Sequence, residues 1–398
     1  MDITIFPNKL SGTVNAIPSK SQAHRLLICS AFADQDTVLD CPETNEDIEA
    51  TVDCLKALGA NITRTDTGYH ICPIINIKHN AVLNCRESGS TLRFLLPVVG
   101  ALGVNATFQM SGRLPERPLN PLWEVMEAKG CSLSRPAKDT LHCSGKILPG
   151  NYIIPGSISS QYVTGLLFAL ALIPEDCQLI VTGKLESAPY VLMTQQAMAV
   201  FGISTENYQL NANSVFHSPG RVCVEGDWSN GAFFLGAQAI GNPVTVDNLD
   251  INSPQGDKAI LNCLELLNDN CTISCEDFPD LVPILAIVAG CNKGATFTGI
   301  RRLCLKESDR VESVAAMLRA LGAAVTTNEN ALTVYPAQFT GCTIDAMGDH
   351  RIAMAAAIGA TAASGPVTIL GAECVSKSYP AFWEIYKQLG GQYEQYIR

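Results

Sequence analysis

With 398 residues, the chain is long enough for two domains of ordinary size, each able to bury a core. Hydrophobic residues make up 47% and charged residues only 16%, with a formal net charge of −11 that argues against a nucleic-acid or anionic-membrane surface, since both need a basic footprint. No apolar run reaches the ~18 residues of a spanning helix, and the start, MDITIFPNKL, lacks a secretory pattern, so a soluble, untargeted protein is expected.

A strand near Ile3 to Phe6 comes first and fits either half of the chain. One plan then recurs six times. Amphipathic helical stretches stop at Gly59, Gly130, Gly202, Asn270, Gly322 and Gly390, and a short strand follows each stop. Half a period earlier, another helical stretch opens on a polar turn, at Ser19, Ser88, Ser159, Ser229, Asp280 and Gly348. Helix N-termini carry unpaired N–H groups and partial positive charge, so six such ends suit one anion-binding centre.

The first opening, PSKSQAHR, has a capping-box pattern from Ser19 to Gln22. Ser21 and Arg25 share a helix face and Lys20 lies in the first turn, a set that suits a carboxylate; a plain capped surface helix reads equally well. Val38 and Leu39 predict a strand, and Ile48, Val52 and Leu55 one face of the next helix. RESGSTLRF opens the second repeat on small residues, with Gly89 permitting close backbone approach. SGRLPERP places Arg113 and Arg117 on a proline-rich loop, where arginine forks fit phosphate or carboxylate. In SISSQY, capping explains one of Ser159 and Ser160 but not both, and Gln161 follows; Ser187 and Tyr190 open the next helix.

The seam between halves is expected within residues 221–228. Beyond it, Asp280 serves either as a base or as an N-cap. LKESDR concentrates charge before a core helix starting near Ser308: Lys306 and Arg310 are four apart, with Glu307 between two cations. A charge pair on a helix end is the plain alternative. GDHR brings Asp349, His350 and Arg351 to the mouth of an almost uncharged helix, and SKSYP adds Lys377. His350 reads as structural and Arg351 as facing an anion. Sixteen cysteines show no Cys-x-x-Cys spacing and sit mostly in apolar runs, where a free thiol acts as a small hydrophobe; a reducing cytoplasm is expected. Neither a G-x-G-x-x-G fingerprint nor a P-loop occurs, so the α/β units are not a doubly wound nucleotide fold.

PSKSQAHR, SGSTLRFLLP, LPERPL, SSQYVTGLL, LKESDR, GDHRIAMA and SKSYP, in this order, resemble the motifs of the enolpyruvyl transferases, and the resemblance covers essentially the whole chain. It implies an α/β fold of two similar domains, each of three βαβαββ-type repeats, an inside-out α/β barrel with a ligand cleft between them. Residues 15–224 would form the shikimate 3-phosphate side, and residues 1–14 with 225–398 the phosphoenolpyruvate side. The implied reaction moves the enolpyruvyl group of phosphoenolpyruvate to the 5-hydroxyl of shikimate 3-phosphate and releases phosphate, on the route to chorismate and aromatic amino acids. A cytoplasmic monomer needing no metal or organic cofactor is expected.

By the same resemblance, Lys20, Ser21, Arg25, Ser159, Ser160, Gln161, Ser187, Asp280 and Lys306 would bind shikimate 3-phosphate. Lys20, Gly89, Arg113, Gln161, Arg310, Arg351 and Lys377 would surround phosphoenolpyruvate. Asp280 would take the hydroxyl proton, and Glu307 with Lys20 or Lys377 would handle the methylene proton. Glu87 stands where asparagine is common in the family and Arg302 where a neutral polar residue is common. Gly89 leaves room for glyphosate, the family's inhibitor. Three alternatives remain: a transferase acting on UDP-N-acetylglucosamine, disfavoured because no cysteine lies between Cys85 and Cys131; an RNA-end cyclase, disfavoured by the charge; and a non-catalytic anion-binding protein.

Overall fold

Gly59, Gly130, Gly202, Gly322 and Gly390 all adopt positive φ in the computed structural model of the chain, which describes residues 1–396. These stops follow helices because a left-handed residue lets the last turn close its carbonyls; at Gly59 the N–H donates back to Leu55 and Lys56. Asn270 differs, lying beyond a helix that ends without glycine.

The chain divides into two units, Pro18–Glu225 and Met1–Ile17 joined to the segment from Gly226 onward. In the first, the helices are α1 (Lys20–Ala31), α2 (Glu46–Leu58), α3 (Gly89–Leu102), α4 (Leu122–Ala128), α5 (Ser160–Leu170) and α6 (Ala188–Val200). The second, split unit contains α7 (Trp228–Ala239), α8 (Ile260–Leu266), α9 (Val282–Cys291), α10 (Arg310–Ala320), α11 (His350–Ala360) and α12 (Phe382–Gln388). Odd-numbered helices open a repeat and even-numbered helices close it.

The opening helices are buried over most of their length: every residue of α11 is buried, as is α1 from Ala23 to Ala31, with their charged residues gathered toward the N-termini. In the first unit α3 and α5 lie closest, because a Cβ on Gly165 would stand 2.2 Å from the Arg93 carbonyl.

Among the described residues, sheets cover these helices, three to each unit, all open. Each holds one parallel pair, and all but the two-stranded sheet add antiparallel strands. In the first sheet Thr37–Asp40 runs parallel to Arg221–Cys223 and antiparallel to Gly68–Cys72, which pairs with Asn61–Thr65. Leu39, Ile62, Tyr69 and Ile71 point into the core while their neighbours alternate outward. The N-terminal strand Asp2–Phe6 joins the split unit, between Val367–Leu370 and Gln392–Tyr396.

All sixteen cysteines are free thiols. No helix among the described residues is long and apolar enough to cross a membrane.

Candidate functional site

In the Pro18–Glu225 unit, three opening helices start on serine caps. Ser19, Ser88 and Ser159 accept from the backbone N–H of Gln22, Thr91 and Gln161 at 3.4, 3.3 and 3.2 Å. The capping box is only half made, because the Gln22 side chain accepts from the Glu225 N–H (2.6 Å) while the Ser19 N–H donates to the Glu225 carbonyl (2.8 Å). The chain end of this unit thus replaces the helix's own reciprocal bond.

Lys20 forms an ion pair with Asp47 at 2.8 Å, each side chain less than a fifth exposed. Asp47 belongs to no motif of its own; its signal is the acidic first turn of α2, Glu46, Asp47 and Glu49, favoured there by the helix dipole. Arg25 is buried over the Phe94 ring (5.1 Å) and donates to the Thr194 hydroxyl and to the Ser21 and Tyr190 carbonyls. Burial lowers its pKa to about 10, so it remains cationic at neutral pH. Ser21 therefore meets Arg25 through its carbonyl.

Gly89 has a different reason to be glycine than open space. A Cβ there would lie 2.5 Å from Arg93 Nη1 and 3.0 Å from Arg117 Nη1, so two guanidiniums already occupy that side. Arg93 donates to the Gln161 amide oxygen (3.0 Å) and to the Pro118 carbonyl (3.2 Å), and Gln161 donates to the Ser90 hydroxyl (3.0 Å). Arg93 is thus the centre of a network joining α3 to α5. Its spacing from Gly89, one helical turn, was the available signal.

Ser160 is buried as the first residue of α5, behind its cap Ser159. Ser187 is buried with φ 55°, a left-handed conformation uncommon for a non-glycine residue. Arg113 is nearly half exposed, 3.8 Å from Glu116 across a short 3-10 turn, Leu114–Glu116, that interrupts the expected loop. The Glu87 carboxylate abuts the backbone of neighbouring Gly112.

The split unit gathers a denser cluster. Asp280 receives Arg310 at 2.5 Å, Lys306 at 3.2 Å and Arg351 at 3.5 Å. Arg310 also pairs with Glu307 (2.5 Å) and with Asp349 (2.7 Å). Asp349 in turn caps α11 through the Arg351 N–H (3.0 Å) and accepts from the Ser308 hydroxyl (3.0 Å). Lys377 donates to the Gly348 carbonyl (2.9 Å). Arg302 donates to the Glu276 carbonyl (2.8 Å).

One expectation needs correction, and two helix starts are placed more finely. Asp280 is no N-cap: it sits in a 3-10 turn ahead of α9, whose start has no side-chain cap. Ser229 lies inside α7, where Asp227 is the cap. The helix expected near Ser308 begins at Arg310 with Asp309 capping it, which frees Ser308 to reach Asp349.

Burial pushes the Asp280 pKa up, but the fields of Arg351, Lys306 and Arg310 outweigh it and hold the carboxyl well below the usual range, against the smaller opposing effect of Glu307. Burial likewise disfavours the charge on Arg310, yet Asp349, Glu307 and Asp280 raise its pKa. The cluster is a buried array of paired charges, in which each cation is held by at least one carboxylate and the carboxylates of Asp280 and Asp349 are kept ionised.

The fold is that of the enolpyruvyl transferases. A solved EPSP synthase from Acinetobacter baumannii matches with a TM-score of 0.80 at 22% identity, covering 99% of this chain and 100% of that one. The enolpyruvyl transferase NikO from Streptomyces tendae matches at 0.75 and 16% identity, covering 99% and 98%. Proteins named 3-phosphoshikimate 1-carboxyvinyltransferase are 36% identical in Clostridium kluyveri, over 99% of this chain and 98% of that protein, and 35% identical in Clostridium botulinum strain Eklund 17B, over 98% of each. The model of the EPSP synthase (3-phosphoshikimate 1-carboxyvinyltransferase) family matches residues 6–386, and the chain belongs to that family.

Proposed function

We propose that this chain transfers the enolpyruvyl group of phosphoenolpyruvate to the 5-hydroxyl of shikimate 3-phosphate, releasing phosphate, as a 3-phosphoshikimate 1-carboxyvinyltransferase of the route to chorismate. Family membership supports the reaction, and the observation that carries it on this chain's own residues is Asp280 ringed by Arg310, Lys306 and Arg351.

In this reading the Pro18–Glu225 unit is the shikimate 3-phosphate side. Ser21, Arg25, Ser159, Ser160, Gln161 and Ser187 hold that substrate, with Lys20, Lys306 and Asp280. Lys20, Gly89, Arg113, Gln161, Arg310, Arg351 and Lys377 serve phosphoenolpyruvate. Addition places a carboxylate and a phosphate on one tetrahedral carbon, so preorganised cations and N–H groups are the main requirement.

Asp280 takes the proton of the attacking hydroxyl. Held well below its usual pKa by Arg351, Lys306 and Arg310 despite burial, it is a weak base until ligand anions neutralise those cations. Binding then raises its proton affinity toward what general base catalysis needs. Glu307, with Lys20 or Lys377, delivers the proton to the methylene carbon and removes one as phosphate leaves.

Phosphate release from phosphoenolpyruvate, with shikimate 3-phosphate or UDP-N-acetylglucosamine offered in turn, tests the reading. Release with the first alone is expected; release only with the second, or with neither, overturns it. Glyphosate is proposed to inhibit by competing with phosphoenolpyruvate, and a flat inhibition curve refutes that. A cytoplasmic monomer is the proposed working form, supported as to compartment by the sixteen free thiols.

A further inference from the structure

On the outer face of the first sheet, His70 and Cys72 stand two residues apart on the strand Gly68–Cys72 and so point the same way, opposite to the buried Tyr69 and Ile71. Asp36 immediately precedes Thr37, whose partner is Ile71, which sets Asp36 beside Cys72. The Asp36 carboxylate lies 3.3 Å from His70 Nε2 and accepts from the Cys72 thiol at 3.3 Å, and Cys72 Sγ is 3.8 Å from His70 Nδ1. One donor atom from each residue fits within a 4.8 Å group.

We propose that Asp36, His70 and Cys72 bind one divalent transition ion of the zinc class. Bond lengths of about 2.0–2.3 Å around a tetrahedral ion put its ligands about 3.3–3.6 Å apart; Asp36 and Cys72 already hold that spacing at 3.3 Å, and one His70 ring nitrogen lies within 4.8 Å of both, so a small turn of the exposed imidazole completes the set. A sulfur, a nitrogen and an oxygen donor together suit zinc, cobalt or nickel, whereas magnesium and calcium call for oxygen alone. Three protein ligands leave a fourth position to water, and Asp36 and His70 are exposed enough for the ion to enter.

The Cys72 thiol donates to the Asp36 carboxylate and so carries its proton before an ion binds. Binding exchanges that proton for the ion: the S–H bond breaks, an S–metal bond forms, and one proton passes to solvent. The ion would tie the segment after α1 to the strand Gly68–Cys72. The site adjoins the C-terminal end of α1, where the Ile74 N–H donates to the Ala31 carbonyl. Lys20 lies at the other end of this 12-residue helix, about 18 Å away at the usual rise. The ion would therefore stabilise the fold and leave turnover unchanged.

Titration of the reduced full-length chain with Co²⁺, followed by thiolate-to-cobalt charge-transfer absorption and by displacement with Zn²⁺, tests this. One equivalent per chain is expected, with release of one proton. Cys72→Ser abolishes the band, and His70→Ala, which removes a ligand itself, weakens affinity by at least about 100-fold, beyond the roughly 10–100-fold that losing a ligand's outer hydrogen-bond partner costs. Cys223→Ser, at an exposed cysteine outside the cluster, changes nothing. A wild-type chain without the band, or a band that survives Cys72→Ser, overturns the proposal.

Discussion

Arg310 Nε donates to the Asp349 carboxylate at 2.7 Å, with 1% and 0% of the two side chains exposed. This contact joins the first residue of α10 to the cap of α11, so two helix N-termini are tied together through one buried carboxylate. Removing Asp349 strips Arg310 Nε, the Ser308 hydroxyl and the Arg351 N–H at the start of α11 of their shared buried acceptor, although Asp280 and Glu307 still face the guanidinium. Asp349→Ala is expected to cost about 3–5 kcal/mol of stability in urea denaturation, and a loss below about 1 kcal/mol would show that solvent replaces the pair.

Gly89→Ala tests the guanidinium pair beside that glycine. The added methyl must displace Arg93 or Arg117, and Arg93 is pinned by Gln161 and Pro118. A drop of about 10–100-fold in kcat/KM for phosphoenolpyruvate is expected from misplacement of this kind. Unchanged kinetics would mean that the arginines swing aside freely.

Acid should weaken the split unit through Asp280 and Asp349. Burial pushes both pKa values up, but Arg351, Lys306 and Arg310 for Asp280, and chiefly Arg310 for Asp349, bring them below the ordinary value. Depressed folded-state values give stability that is full above the unfolded pKa of about 3.9 and is lost as pH falls through the lower folded values. Stability measured by denaturant at stepped pH should fall steeply below about pH 4, and less steeply in Asp280→Asn. Equal slopes in both chains would contradict this.

His24 predicts a second pH dependence in the other unit. It is buried, with Nδ1 bonded to the Thr51 hydroxyl at 2.7 Å, and burial, then Lys20 and Arg25, hold its pKa well below 6.5. The unfolded chain therefore binds the proton first. Stability should decline by about 1.4 kcal/mol per pH unit below about pH 6.5, until the folded pKa is reached. His24→Gln should remove this slope in denaturation measured between about pH 6.5 and 5; a slope that persists points to another group.

The sequence alone determined the sixfold plan, because its signals act within a single helical turn. Gly59, Gly130, Gly202, Gly322 and Gly390 take positive φ at the helix stops, and Ser19, Ser88 and Ser159 cap the helices that they precede. The motif lysines and arginines were legible for the same reason. Tertiary structure alone decided which partner each of them meets. Lys20 faces Asp47, Gly89 faces Arg117, and Asp280 is held by a residue thirty positions away, Arg310. Gln22 gave up its box for the Glu225 N–H, and the strand Asp2–Phe6 took its place beside Val367–Leu370. Such choices depend on sheet register and helix packing, which set distances between residues that no local pattern relates.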